Sequence, residues 1–371
     1  MFADVVVVGG GVIGMLSALR LAETGQRVHL IERGELGREA SWAGGGIVSP
    51  LYPWRYGRAV TALADWSQDF YPGLGQTLAA ETDIDPEVFE TGLYWLDMDD
   101  QEAALGWAAR EGAPLQSVGI DDVYTAVPPL GAGFSRAMYR PGIANVRNPR
   151  LAQALRAALE AHARVRVDEC QAVKGLALTS GRVTGVNTAE GRIDADRVVI
   201  AAGAWSGALL ADLGVTLPVS PVKGQMILYK CDPTFLPTMV LARSRYAIPR
   251  RDGHVLIGST LEHAAFDKTP TAEALQSLEA SALELLPGLK RYPKVGHWAG
   301  LRPGSPGGIP FIGEVPGYEG LWLNCGHYRN GLVLAPASCQ LLADLMVGNT
   351  PIIDPAPYGP CEARMKMVAL E

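Results

Sequence analysis

The chain has 371 residues, 48% of them hydrophobic, which is length enough for on the order of two or three domains around a large core. A formal net charge of −7 leaves no basic footprint, and so argues against nucleic acid and anionic lipid as partners. The five cysteines, Cys170, Cys231, Cys325, Cys339 and Cys361, are odd in number and contain no C-x-x-C pair, so they read as reduced thiols of a cytoplasmic protein. The N-terminus carries Asp4 and enters an apolar strand at once, unlike a secretory leader. Its longest uncharged run, residues 5–19, is too short and glycine-rich to span a bilayer.

The first 35 residues form one pattern: ADVVVV as a buried strand, GGGVIG as a tight turn, MLSALRLAETG as a helix closing at Gly25, and RVHLIER as a second strand. Gly9, Gly11 and Gly14 satisfy G-x-G-x-x-G between strand and helix, and Glu32 follows about 20 residues on, all within one βαβ unit. Gly9 permits the turn, Gly11 lets backbone approach a pyrophosphate, and Gly14 lets helix and strand pack closely. The free N–H groups of Val12, Ile13 and their neighbours at the helix start then meet phosphate charge. Glu32 suits ribose hydroxyls and would repel a 2′-phosphate, despite Arg33 beside it, so FAD or NAD is preferred to NADP. No second G-x-G-x-x-G follows a strand, so one dinucleotide is expected.

Next comes GELGREASWAGGGIVSP, read as a loop whose Gly44, Gly45 and Gly46 let main chain lie against a flat ligand. Residues 58–80 and 100–111 read as helices, 92–97 as a strand, and 149–162 as a helix with Pro149 in its first turn. From Val165 short strands and turns alternate up to DRVVIAAGAWSG, where Ala202 and Gly203 would let a cofactor approach. PVKGQMILYK, MVLARSRYAIP and GHVLIGSTLE alternate as strands of an antiparallel sheet, with Arg251, Asp252 and Gly253 as a hairpin turn. A helix at 271–286, the strand LWLNCG and the helix NGLVLAPASCQLLADLMVG complete the chain. This order predicts an α/β fold with two interleaved domains. A dinucleotide domain takes 1–85, 145–218 and 300–371, and a second domain takes 86–144 and 219–299.

Residues 298–313, WAGLRPGSPGGIPFIG, contain one ionisable side chain, Arg302. Such a guanidinium must face water or a counter-ion, and the chain offers no nearby acid before Glu314.

VVVVGGGVIG with Glu32, ASWAGGGI, VVIAAGAWS, YAIPRRDGHVLIGST, AGLRPGSPGGIPFIGE and GHYRNGLVLAP together resemble the FAD-dependent amine and D-amino-acid oxidases, nearest their glycine oxidase branch in thiamine biosynthesis. The resemblance covers nearly the whole chain and implies a Rossmann-like FAD domain with an antiparallel-sheet substrate domain. It places FAD contacts on Gly9, Gly11, Val12, Ile13, Gly14, Glu32, Arg33, Ala40, Ser41, Gly45, Gly46 and Ile47. Further contacts fall on Val173, Ala202, Gly203 and the loop His327, Tyr328, Arg329, Asn330, Gly331, Leu332 and Val333. It implies that Arg302 binds a substrate carboxylate as a bidentate pair, with Tyr246 as its partner and Arg329 nearby.

Two departures from that branch stand out. Ser244 and Leu261 occupy positions where glycine oxidases can carry His and Met, so the pocket differs in size or polarity. No cysteine flanks Arg302, where Leu301 and Pro303 stand, so FAD is expected to be non-covalent. The implied chemistry is hydride transfer from a small amino acid to FAD, with O2 reduced to H2O2, no side-chain general base and no metal. The resemblance also implies a homo-oligomer, dimer or tetramer. Alternatives are a D-amino-acid dehydrogenase passing electrons to a quinone, a sarcosine-type oxidase, and a flavin-binding subunit without an amine site.

Overall fold

A computed structural model describes residues 3–367 of the chain. The apolar run Ala3–Val8 is buried on both faces, as strands covered by helices on each side must be. It pairs in parallel with Val28–Ile31 and with Gly191–Ile200. The sheet extends through Leu321–Cys325 to Phe311–Glu314 on one side and to Val165–Asp168 on the other. Gly191–Ile200 serves twice: its first half closes an antiparallel meander with Arg182–Thr188, and its second half enters the parallel sheet. The polar-then-apolar character of that segment has this cause.

Helices Val12–Glu23, Arg58–Thr82, Asn148–Ala161 and Gly331–Val347 supply the core against this sheet. The last contains Pro336, which has no N–H to give the carbonyl four residues back. That carbonyl, Leu332 O, instead accepts the Tyr71 hydroxyl at 2.6 Å, and Ala337 N–H donates to Ser67 Oγ at 3.0 Å. Both partners come from Arg58–Thr82. Tyr328–Val347 is long and apolar enough to cross a bilayer, yet it lies mostly buried inside the protein as a core helix.

The second sheet runs Lys294–Gly304, Ser220–Lys230, His254–Gly258, Arg245–Pro249, Met239–Ala242, Leu93–Leu96, Ala137–Arg140 and Gln116–Val118. It departs from expectation in two ways. Met239–Ala242 pairs in parallel with Leu93–Leu96, so the sheet is mixed rather than purely antiparallel. MVLARSRYAIP is two strands, joined by Arg243 and Ser244, both with positive φ. The segment around Arg302 is a strand, Lys294–Gly304, paired over most of its length with Ser220–Lys230. The division expected at residue 300 falls inside it. The loop expected after Arg33 also contains a short helix, Ala40–Ala43.

Candidate active site

A cavity of about 460 Å³ lies between the two sheets, with walls drawn from both. At its nucleotide end the helix Val12–Glu23 begins directly on the glycine motif, with no side-chain cap and no acid in its first turn. No acid of its own first turn offsets its positive end, which suits an anion site. Ser41 Oγ accepts the Val12 N–H at 2.8 Å. Gly9 has φ of 111°, and a Cβ there would lie 2.5 Å from Ala201 O. A Cβ on Gly14 would lie 1.8 Å from Gly9 O. Gly14 thus packs helix on strand, and of the residues assigned cofactor or substrate contacts it alone does not line the cavity; Ser244 and Leu261, expected to shape the pocket, do not line it either, and Leu261 is exposed.

Glu32 is held in place by two backbone donors, Gly10 N–H at 2.6 Å and Gly34 N–H at 2.9 Å. Arg33 lies over the Trp205 ring at 3.8 Å and approaches Glu39 at 3.3 Å. On the glycine loop, Gly46 has φ of 81° and no space for a side chain beside Val146 O. Arg250 ties the loop down: it donates to Gly45 O at 2.8 Å and to Val146 O and Asn145 Oδ1 at 2.9 Å each. Burial lowers the Arg250 pKa to about 10.

His327 is 1% exposed, and its Nε2 meets Ser338 Oγ at 2.7 Å. Ser338 Oγ donates to Asn324 Oδ1, and Asn324 Nδ2 donates to Ser17 Oγ at 3.1 Å. With the serine proton committed to Asn324, His327 must be the donor, so Nε2 carries its hydrogen. Burial pushes its pKa down to about 3, leaving the ring neutral.

At the other end, Arg302 donates from Nη2 to Ser259 Oγ at 2.7 Å and from Nη1 to Lys223 O and Thr260 O at 3.3 Å. All three acceptors are uncharged. No carboxylate among the described residues pairs with it. Burial lowers its pKa, opposed by Tyr246 and reinforced by the neighbouring Arg329 charge, and an arginine so placed still carries its proton. Tyr246 is 6% exposed, whereas Arg329 lies at the exposed rim, and both line the same cavity.

Three buried polar atoms on the wall lack a hydrogen-bond partner: Asn148 Oδ1, Gln171 Oε1 and Asn330 Nδ2. Buried polar groups are rarely left unpaired, so a ligand carrying both donors and acceptors fits here, and FAD is such a ligand. Sequence reasoning named only Asn330 of the three. It also missed Trp205, Gly224 and Met226 on the wall. A glycine inside a strand, as at 224, is the one usable signal among them.

Residues 4–345 match the family model described as FAD dependent oxidoreductase, DAO. The chain belongs to that family. It is 68% identical over 356 residues to the glycine oxidase of Pseudomonas aeruginosa, covering 96% of this chain and 98% of that protein. The crystal structure of glycine oxidase from Geobacillus kaustophilus superposes with a TM-score of 0.92 at 32% identity, over 97% of this chain and 99% of that one. The bifunctional protein ThiO/ThiG of Trichormus variabilis is 33% identical over 94% of this chain, which spans 53% of that longer protein.

Proposed function

We propose that this FAD-dependent enzyme oxidatively deaminates glycine and other small amines such as sarcosine and small D-amino acids. The carrying observation is Arg302, a cation with only neutral acceptors, facing the same cavity as the dinucleotide motif. For glycine the balance is glycine, O2 and water giving glyoxylate, ammonia and H2O2, with the imine hydrolysing last or passing to thiazole synthesis. The likeness to ThiO/ThiG supports that second fate.

Arg302 and Tyr246 would fix the substrate carboxylate, with Arg329 at the rim adding positive charge, and so set the direction of the Cα–H bond. Positioning of this kind supplies much of a barrier reduction. FAD, held by the Gly9–Gly11 turn, Glu32 and the Gly44–Gly46 loop, would supply the two-electron acceptor, with O2 as the final oxidant. His327, neutral and already donating to Ser338, shapes the wall and takes no proton. The substrate reacts as its neutral amine, and no side-chain base is needed. Leu301 and Pro303 beside Arg302 leave FAD bound without a covalent link.

We divide the chain into an FAD domain of residues 1–85, 145–218 and 305–371 and a substrate domain of 86–144 and 219–304. Five unpaired thiols favour the cytoplasm, and family analogy favours a homo-oligomer. An oxygen electrode with coupled peroxide detection tests the reading: glycine should consume O2 and release H2O2 in equal amounts. Flavin bleached by glycine without peroxide in air would favour the quinone-linked reading instead.

A further inference from the structure

Resting on the carboxylate role of Arg302, we propose that Gly224 is the positioning residue that seats its guanidinium. Side chains two apart on a strand share a face. Arg302 is in register with Val222, and the next position on that face of the neighbouring strand is Gly224, itself opposite Gly300. The guanidinium lies across the space a side chain would fill. A Cβ on Gly224 would lie 2.2 Å from Nη1, 2.3 Å from Nη2 and 2.4 Å from Cζ of Arg302.

This glycine has no turn to make. Its φ is not in the left-handed region, and it sits mid-strand in Ser220–Lys230, where glycine is otherwise a weak choice. The atoms that exclude a Cβ are the far end of a movable side chain. On substitution the arginine moves and the strand stays. The donors to Ser259 Oγ, Lys223 O and Thr260 O are then misplaced, and the outward edge of the fork turns from the point where it meets a carboxylate. A bidentate pair tolerates little such displacement.

The test is a double-mutant cycle of Gly224→Ala with Arg302→Lys in the holoenzyme. Acetate, a carboxylate without an amine, is titrated against the flavin absorption band. Gly224→Ala should retain FAD and weaken acetate by about 30-fold or more. The KM for glycine should rise in step while kcat changes far less. In the Arg302→Lys background the slimmer ammonium leaves room for a methyl group, so the same substitution should weaken acetate by less than about threefold.

Equal losses in both backgrounds would overturn the seat. So would a Gly224→Ala chain that fails to fold in both, because the methyl group would then be acting on the strand and not on the arginine. If Arg302→Lys alone left acetate and glycine binding unchanged, the carboxylate role itself would fail, a result distinct from either.

Discussion

Replacing His327 with Gln removes one titrating group from the interior, and the structure sets how much pH dependence goes with it. The fold favours the neutral imidazole, with a pKa of about 3 against an ordinary 6.5. The unfolded chain therefore takes up a proton that the folded chain refuses. Stability from this residue is complete above about pH 6.5 and is lost progressively as pH falls toward the folded value. At about pH 5 the unfolded histidine lies about 1.5 pH units below its pKa, which at about 1.4 kcal/mol per unit amounts to about 2 kcal/mol lost relative to neutral pH.

Guanidinium unfolding of the holoprotein in saturating FAD, at about pH 7 and about pH 5, measures this directly. Other groups titrate equally in both proteins and cancel in the difference. The wild type should lose about 2 kcal/mol more than His327→Gln between the two pH values. Parallel losses, within about 0.5 kcal/mol, would mean that the ring is not held neutral, and its exclusion from proton transfer would fall with it.

Tyr71→Phe strands the Leu332 carbonyl that Pro336 cannot serve, and should cost about 1–3 kcal/mol. Thermal unfolding reads this, and an unchanged Tm would contradict the account of how that helix tolerates its proline. Arg250→Met leaves Gly45 O, Val146 O and Asn145 Oδ1 without a donor. FAD affinity, followed by flavin fluorescence, should fall at least about tenfold, since more than one buried acceptor is left unpaired; unchanged affinity would show that the glycine loop needs no such anchor.

The glycine motif, its helix and Glu32 were legible because spacing alone specifies them. A tight glycine turn leading into a helix and an acid at the end of the next strand recur where a dinucleotide pyrophosphate is held. The strand carrying Arg302 was harder to see. Gly300, Pro303 and Gly304 look like turn residues, yet Gly300 faces Ala43 and Gly304 faces Val222 and Ser220, so tertiary crowding and not turn geometry asks for small residues. The hairpin at Arg243 and Ser244 was missed for the opposite reason. Two positive-φ residues form a tight turn there without the Gly, Asn or Asp that usually marks one. Asn148 and Gln171 gave no local signal, because their significance is an unpaired atom that only the assembled cavity exposes.

Anaerobic mixing of glycine with the Arg302→Ala holoenzyme, followed by loss of flavin absorbance, tests the central claim most directly. The variant should remain yellow and folded, with its apparent glycine affinity weakened by about 2–5 kcal/mol, the range for removing one partner of a buried charged pair. Bleaching with the wild-type dependence on glycine concentration would show that something other than this arginine holds the substrate.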